Sequence, residues 1–317
     1  MIAGVVAEQL TKSFGPLEAL SGLDLEVPAG TVGAVLGPNG AGKTTTIRIL
    51  ATLDQADSGR AFVGGFDVRY QAHQVRSIIS LTGQYAAVDG DLTGRENLIM
   101  IGRLYRLSRR YARQRADELL DRFGLGPAAE RLTRNYSGGM RRRLDLALSL
   151  VSPPRVLFLD EPTTGLDLTS REQLWAVVHD LQADGTTVVL TTQYLEEADR
   201  LAERVTVIDN GRAVATGRPA DLKSAYGADV FELFAADHSV ADRAAKLLTD
   251  RAGLGQQAVG TATGDMPVLV TVPTGFYSVV DAIRLLDAEG LRLDDLHVRR
   301  ASLDEVFAAL TARTDVS

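Results

Sequence analysis

"TVGAVLGPNGAGKTTTIRIL", Thr31 to Leu50, decides the fold. The apolar run Thr31 to Gly37 reads as a buried strand. It enters a glycine loop, and the Thr-rich stretch beyond continues as a helix. Gly37, Pro38, Asn39, Gly40, Ala41, Gly42, Lys43 and Thr44, followed by Thr45, match G-x-x-x-x-G-K-[ST] between a strand and a helix, the context that motif requires. Its glycines let consecutive amides curl around phosphate oxygens without Cβ clashes. Lys43 brings a compact charge to the terminal phosphates, and the Thr44 hydroxyl is a ligand for Mg²⁺. The pattern predicts a nucleoside triphosphate site and names no task.

Two more buried strands follow, "RVLFLDEP" (Arg155 to Pro162) and "TTVVLTTQ" (Thr186 to Gln193), with the helical "REQLWAVVHDLQAD" between them. Such alternation predicts a mostly parallel sheet covered by helices. Asp160 and Glu161 end the first of these strands beside the phosphate loop. Asp160 suits the magnesium shell through water, and Glu161 is placed to polarise an attacking water, help usually worth about 10²–10⁴ in rate. Leu92 to Leu132 reads as a helical, Arg-rich insert with a capping box at Thr93 and Glu96. Its arginines (Arg103, Arg106, Arg109, Arg110, Arg113 and Arg115) read as a solvated face rather than a site for an acidic partner.

Near Leu222 the pattern changes. "ADVFELF", "PVLVTV" and "LRLDDLHV" read as strands, separated by helical "SVADRAAKLLTDRAG" and "GFYSVVDAIRLLDAEG". They predict a small α+β domain of split βαβ type. The second helix shows a stripe of Phe276, Val279, Val280, Ile283 and Leu286. A last helix opens with a Ser302–Glu305 capping box and carries Leu303, Val306, Phe307 and Leu310. His297 reads as a strand residue rather than a ligand. The expected domains are residues 1–222, with the insert at about 88–150, and 223–317.

Composition narrows the functions. The 317 residues carry a net charge of −7, against a general nucleic-acid binder. The absence of cysteine excludes disulfides, thiolate metal sites and cysteine catalysis. The N-terminus lacks the basic and apolar regions of a secretion signal. No apolar run approaches the roughly 18 residues of a membrane span.

One stretch remains: "NYSGGMRRRLDLAL", Asn135 to Leu148. A serine and two glycines before an amphipathic helix make a second phosphate site at a helix start. The motifs together resemble the nucleotide-binding subunit of an ATP-binding cassette (ABC) transporter over roughly residues 2–222. The resemblance implies a RecA-like α/β core, an antiparallel β part and a helical insert, with the C-terminal α+β domain added. "YSGGM" is similar to the family's LSGGQ signature, in which Ser137, Gly138 and Gly139 hold phosphate. There two subunits pair head to tail, and each ATP lies between the phosphate loop of one and the signature helix of the other. The resemblance further implies adenine stacking on Phe14, a Q-loop Gln84 touching Mg²⁺ and the membrane subunit, and a D-loop Asp167 across the subunit boundary.

Two departures stand out. Tyr136 and Met140 replace the usual Leu and Gln of the signature. Gln193 stands where most of the family has histidine; it donates a hydrogen bond to the γ-phosphate but carries no proton. Glu161 then supplies the base, with Gln193 orienting. "YSGGMRRR", "TTQYLEEAD" and the final "SLDEVF" resemble the daunorubicin/doxorubicin-resistance exporter ATPases. This implies a Mg-dependent ATPase, peripheral on the cytoplasmic membrane face, working with a second copy and an integral membrane permease. A soluble ABC ATPase acting on DNA or ribosomes goes with paired cassettes, long coiled coils or zinc-binding cysteines, which the chain lacks. A nucleotide-gated clamp with little turnover has Gln193 as its only support.

Overall fold

The computed structural model describes residues 3–83, 88–227, 229–235, 238–252, 260–262, 268–273 and 279–314. They fall into two compact units, Met1–Pro219 and Ala220–Ser317.

The first unit opens with a hairpin of β1 (Ala3–Phe14) and β2 (Leu17–Pro28), turned at Gly15 with φ 60°. Then come β3 (Val32–Leu36), α1 (Lys43–Leu50), β4 (Ser58–Val63), β5 (Phe66–Asp67), α2 (Ala72–Ile78) and β6 (Ile79–Thr82). Helices α3 (Gly94–Leu104), α4 (Arg109–Arg122) and α5 (Gly138–Ser149) follow. The unit continues through β7 (Val156–Asp160), α6 (Leu168–Ala183), β8 (Thr187–Thr192), α7 (Leu195–Leu201), β9 (Arg204–Asp209) and β10 (Arg212–Gly217) to the start of α8 (Pro219–Tyr226).

The central sheet has the order β10-β9-β3-β8-β7-β6, parallel throughout except for β10. β3, β7 and β8 are buried along their whole length, as their unbroken apolar runs require of strands covered on both faces. The antiparallel sheet β2-β1-β4-β5 lies over it. Leu20, Leu23 and Val27 from the hairpin, Ile47 and Leu50 from α1, and Phe158 and Val189 from the central sheet share one core. The core thus fixes α1, and with it the glycine loop. In the insert, Thr93 and Glu96 form the expected capping box on α3. Arg103, Arg106, Arg109, Arg110 and Arg113 are exposed, and only Arg115 turns inward, donating to the Leu150 carbonyl at 2.9 Å.

The second unit contains β11 (Val230–Ala235), α9 (His238–Ala252), β12 (Gly260–Ala262), β13 (Val268–Pro273), α10 (Val279–Ala288), β14 (Asp295–Arg299) and α11 (Leu303–Thr314). Its sheet, β12-β13-β11-β14, is antiparallel throughout, the interleaving of two βαβ units expected from the sequence. Ser302 and Glu305 cap α11, whose Leu303, Val306 and Leu310 are buried. The stripe on α10 differs from expectation. Ala282 and Leu286 are buried, whereas Val279, Val280 and Ile283 stay 37–54% exposed; Phe276 lies outside the described residues. Ala282 instead joins Ala241, Ala244 and Ala245 of α9 in one buried cluster.

Candidate functional site

The predicted residues of the first site gather at the carboxyl ends of β3, β7 and β8, where parallel sheets place their ligands. The glycine loop follows β3. A Cβ at Gly37 would strike the Ile208 carbonyl, and one at Gly42 (φ 104°) would lie 2.6 Å from the Ala19 carbonyl, so only glycine fits this cradle. Pro38, Asn39 and Gly40 are exposed at its mouth, with Ala41 buried beneath. No side chain caps the start of α1. Its first amides, including those of Thr44 and half-buried Thr45, therefore face the loop, as anion binding requires.

Lys43 is 4% exposed. Its Nζ donates to the Gly37 and Pro38 carbonyls at 2.9 and 3.0 Å and pairs with Glu161 Oε1 at 3.2 Å. Asp160 is buried; its Oδ1 accepts from Thr191 Oγ1 at 2.6 Å and from Thr44 Oγ1 at 3.2 Å. Glu161 breaks from the strand with φ 46°, an uncommon angle for a residue bearing a Cβ. Its amide donates to Thr191 at the end of β8. Gln193 is half-buried just beyond that strand. Phe14 ends β1 with its ring 48% exposed and the Lys12 ammonium 5.3 Å from its centroid. Gln84 lies outside the described residues.

The donor set fits magnesium held with nucleotide. The described residues contain no cluster of three or more His, Cys, Asp or Glu side chains able to hold a metal alone. Thr44 would offer its hydroxyl and Asp160 its carboxylate, through water, as hard oxygen donors to a magnesium ion carried by the phosphates.

The residues predicted for the second site stand at the start of α5. Ser137 Oγ accepts from the Met140 amide at 3.2 Å as N-cap, and Gly138 is exposed. Gly139 is buried, and any Cβ there would strike Ser170 Oγ. Asp167, exposed, caps α6 through Ser170. Tyr136 is buried and donates its hydroxyl to the Ala128 carbonyl at 2.7 Å, which ties the signature to the insert. Burial pushes its phenol pKa up.

Two contributors went unread in the sequence. Arg142 of α5 donates through Nε to the Pro162 carbonyl at 2.9 Å and through Nη1 to the Gly83 carbonyl at 2.8 Å. Its Nη2 reaches the Asp160 and Glu161 carbonyls at 3.3 and 3.4 Å. Burial lowers its pKa, opposed by the charges of Asp145, Asp160 and Glu197. Arg142 and Arg143 belong to an Arg-rich amphipathic run in the sequence, which gives no sign of which arginine turns inward.

Glu197 of α7 is fully buried, with Oε1 accepting from Trp175 Nε1 at 3.2 Å. Burial pushes its carboxyl up against the hydrogen bonds from Thr192 and Trp175 and the charge of Arg171. The folded chain therefore keeps this proton above the range where an unfolded Glu, with pKa of about 4.3, loses it. Stability falls as pH rises from that value through the folded pKa. Glu197→Gln is expected to flatten this loss, so that the variant gains in melting temperature over the parent as pH rises from about 4.3. Parallel melting curves for the two proteins at every pH would contradict it.

The family profile described as "ABC transporter" matches residues 20–164. The chain is 52% identical over 307 residues to the daunorubicin resistance ATP-binding protein of Streptomyces coeruleorubidus, covering 97% of this chain and 94% of that protein. The chain belongs to the ATP-binding subunits of ABC transporters. This ABC subunit is also 50% identical to the daunorubicin/doxorubicin resistance ATP-binding protein of Streptomyces peucetius, with 95% of this chain and 90% of that protein covered. A solved ATP-binding cassette, a dimer in a post-hydrolysis state bound to ADP and Pi, matches at TM-score 0.61 and 26% identity over 68% of this chain and 98% of its own. The ABC subunit is thus an ATPase coupled to transport, with the mixed α/β cassette fold that the resemblance implied. No helix among the described residues is long and apolar enough to cross a membrane.

Proposed function

We propose that this ATPase powers export of a hydrophobic small molecule through a separate integral membrane subunit, from the cytoplasmic face of the membrane and as a head-to-tail pair of copies. Likeness to drug-resistance ATP-binding proteins along almost the entire chain, the second unit included, carries this reading. In it, residues 1–222 are the nucleotide-binding domain and residues 223–317 an accessory domain.

Each residue then has a task. Phe14 stacks on adenine. Amides from Gly37 to Thr45 wrap the phosphates. Lys43 exchanges the Glu161 carboxylate for phosphate oxygens, since both compete for one ammonium 3.2 Å from Glu161. Glu161, released, accepts a proton from the attacking water while Gln193 donates to the γ-phosphate. Thr44 and Asp160, with Gln84, hold Mg²⁺, which neutralises charge on the phosphates. Ser137, Gly138 and Gly139 of the second copy close the site from the far side, with Asp167 at the boundary.

Steady-state ATPase rates with and without the co-expressed membrane subunit test the proposal. The rate is expected to rise in the complex and again on adding a hydrophobic drug such as daunorubicin, named for the relatives. Negligible rates in both states would replace the motor with a clamp.

A further inference from the structure

We propose that Arg142 is a positioning residue for hydrolysis, whose guanidinium holds the turn that aims Glu161. The proposal rests on the reading of Glu161 as the group that polarises water. Where β7 ends, Glu161 enters the left-handed region at φ 46°, an angle that a residue bearing a Cβ rarely adopts, while its carboxylate pairs with Lys43 at 3.2 Å and accepts from Thr164 Oγ1 at 3.3 Å. The turn brings the carbonyls of Asp160, Glu161 and Pro162 together on one side. Arg142 meets all three, at 3.3, 3.4 and 2.9 Å. Its remaining nitrogen binds the carbonyl of Gly83, just beyond β6, at 2.8 Å and the Asp145 carboxylate at 3.4 Å. The side chain is 13% exposed, so these carbonyls take the place of water around a charged group.

Only a planar fork with five N–H donors spans two separate loops in this way; an ammonium, a point charge, does not. The adjacent arginines do other work. Arg141 is exposed, and Arg143 donates to the Phe123 carbonyl at 2.9 Å in the insert. Arg142 also lies on the helix that begins at Ser137 to Gly139. The cup offered to the second copy's nucleotide and the turn that aims this copy's Glu161 are therefore fixed to the same short rod.

Loss of the fork leaves the nucleotide contacts of Lys43 and the glycine loop in place but lets the Glu161 carboxylate drift. Displacements of about 1 Å at a reacting group cost up to about 100-fold. Arg142→Gln and Arg142→Lys are therefore both expected to lower kcat by about 10- to 100-fold, with the Kd for a fluorescent ATP analogue within about twofold of the parent. In a Glu161→Gln background, Arg142→Gln is expected to leave the residual rate unchanged, because both changes remove one function.

A kcat within twofold of the parent for both variants overturns the proposal. So does a loss of ATP affinity in step with kcat, which would make Arg142 a structural support of the whole site. Arg142→Lys retains the charge and carries the test if Arg142→Gln does not fold. Failure of the Glu161 reading shows separately, as near-normal turnover in Glu161→Gln alone.

Discussion

Glu161→Gln is expected to cut turnover to a small residual rate while leaving ATP binding intact or tighter. Among the described residues, Glu161 is the carboxylate at the end of β7 that pairs with Lys43, and it is able to take a proton from water. The amide removes that capacity and keeps the shape. Loss of general-base help predicts a fall in kcat of about 10²–10⁴. Binding moves the other way. The parent carboxylate competes with phosphate for the Lys43 ammonium at 3.2 Å, and a neutral amide competes less. The backbone at φ 46° and the three carbonyls held by Arg142 do not depend on the side-chain charge, so the turn survives. Phosphate release and the Kd of an ATP analogue check both halves. Near-normal release would remove Glu161 from the reaction and leave Gln193 without a partner. Gln193→His, by contrast, is expected to remain active, since it adds a titratable ring to a site whose base is already supplied.

How far these roles could be read from the sequence depended on distance along the chain. The phosphate loop was legible because Gly37, Gly42, Lys43 and Thr44 are close neighbours and their spacing is itself the geometry. The Thr44–Asp160 contact joins residues 116 apart; it was approached through the place of Asp160 at the end of a buried strand beside the phosphate loop. Arg142 was illegible for a different reason. Four of its five partners are main-chain carbonyls, which every residue has, and the fifth, Asp145 three residues on, does not point to the turn at Glu161. Glu196 and Glu197 are adjacent acids, one exposed and one fully buried, and only the phase of α7 against Trp175 separates them. On α10 hydrophobicity picked out buried Leu286 but not buried Ala282, and it chose Val279, Val280 and Ile283, which stay partly exposed.

Mixing two inactive variants is expected to create activity. Lys43→Ala removes the phosphate-loop charge; Gly138→Asp places a carboxylate where the signature would meet the γ-phosphate. Gly138 suits this use. A Cβ there meets nothing within 4 Å, and its φ is not positive, so the substitution adds no clash within its own chain. The harm falls on whatever approaches the start of α5 from outside. If each ATP lies between the loop of one copy and the signature of another, a mixed pair contains one doubly damaged site and one intact site. With free exchange of copies, half the pairs are mixed, and the rate recovers to about a quarter of the parent's. Recovery requires the copies to meet, so it rises with protein concentration and is lost on dilution. A site complete within one chain predicts the opposite: the mixture shows only the sum of the two separate rates, whatever the concentration. That outcome would remove the shared-nucleotide reading while leaving Lys43, Thr44 and Asp160 as an ordinary phosphate site. The choice rests on Gly138, exposed at the head of α5, where an added Cβ meets no atom of its own chain within 4 Å.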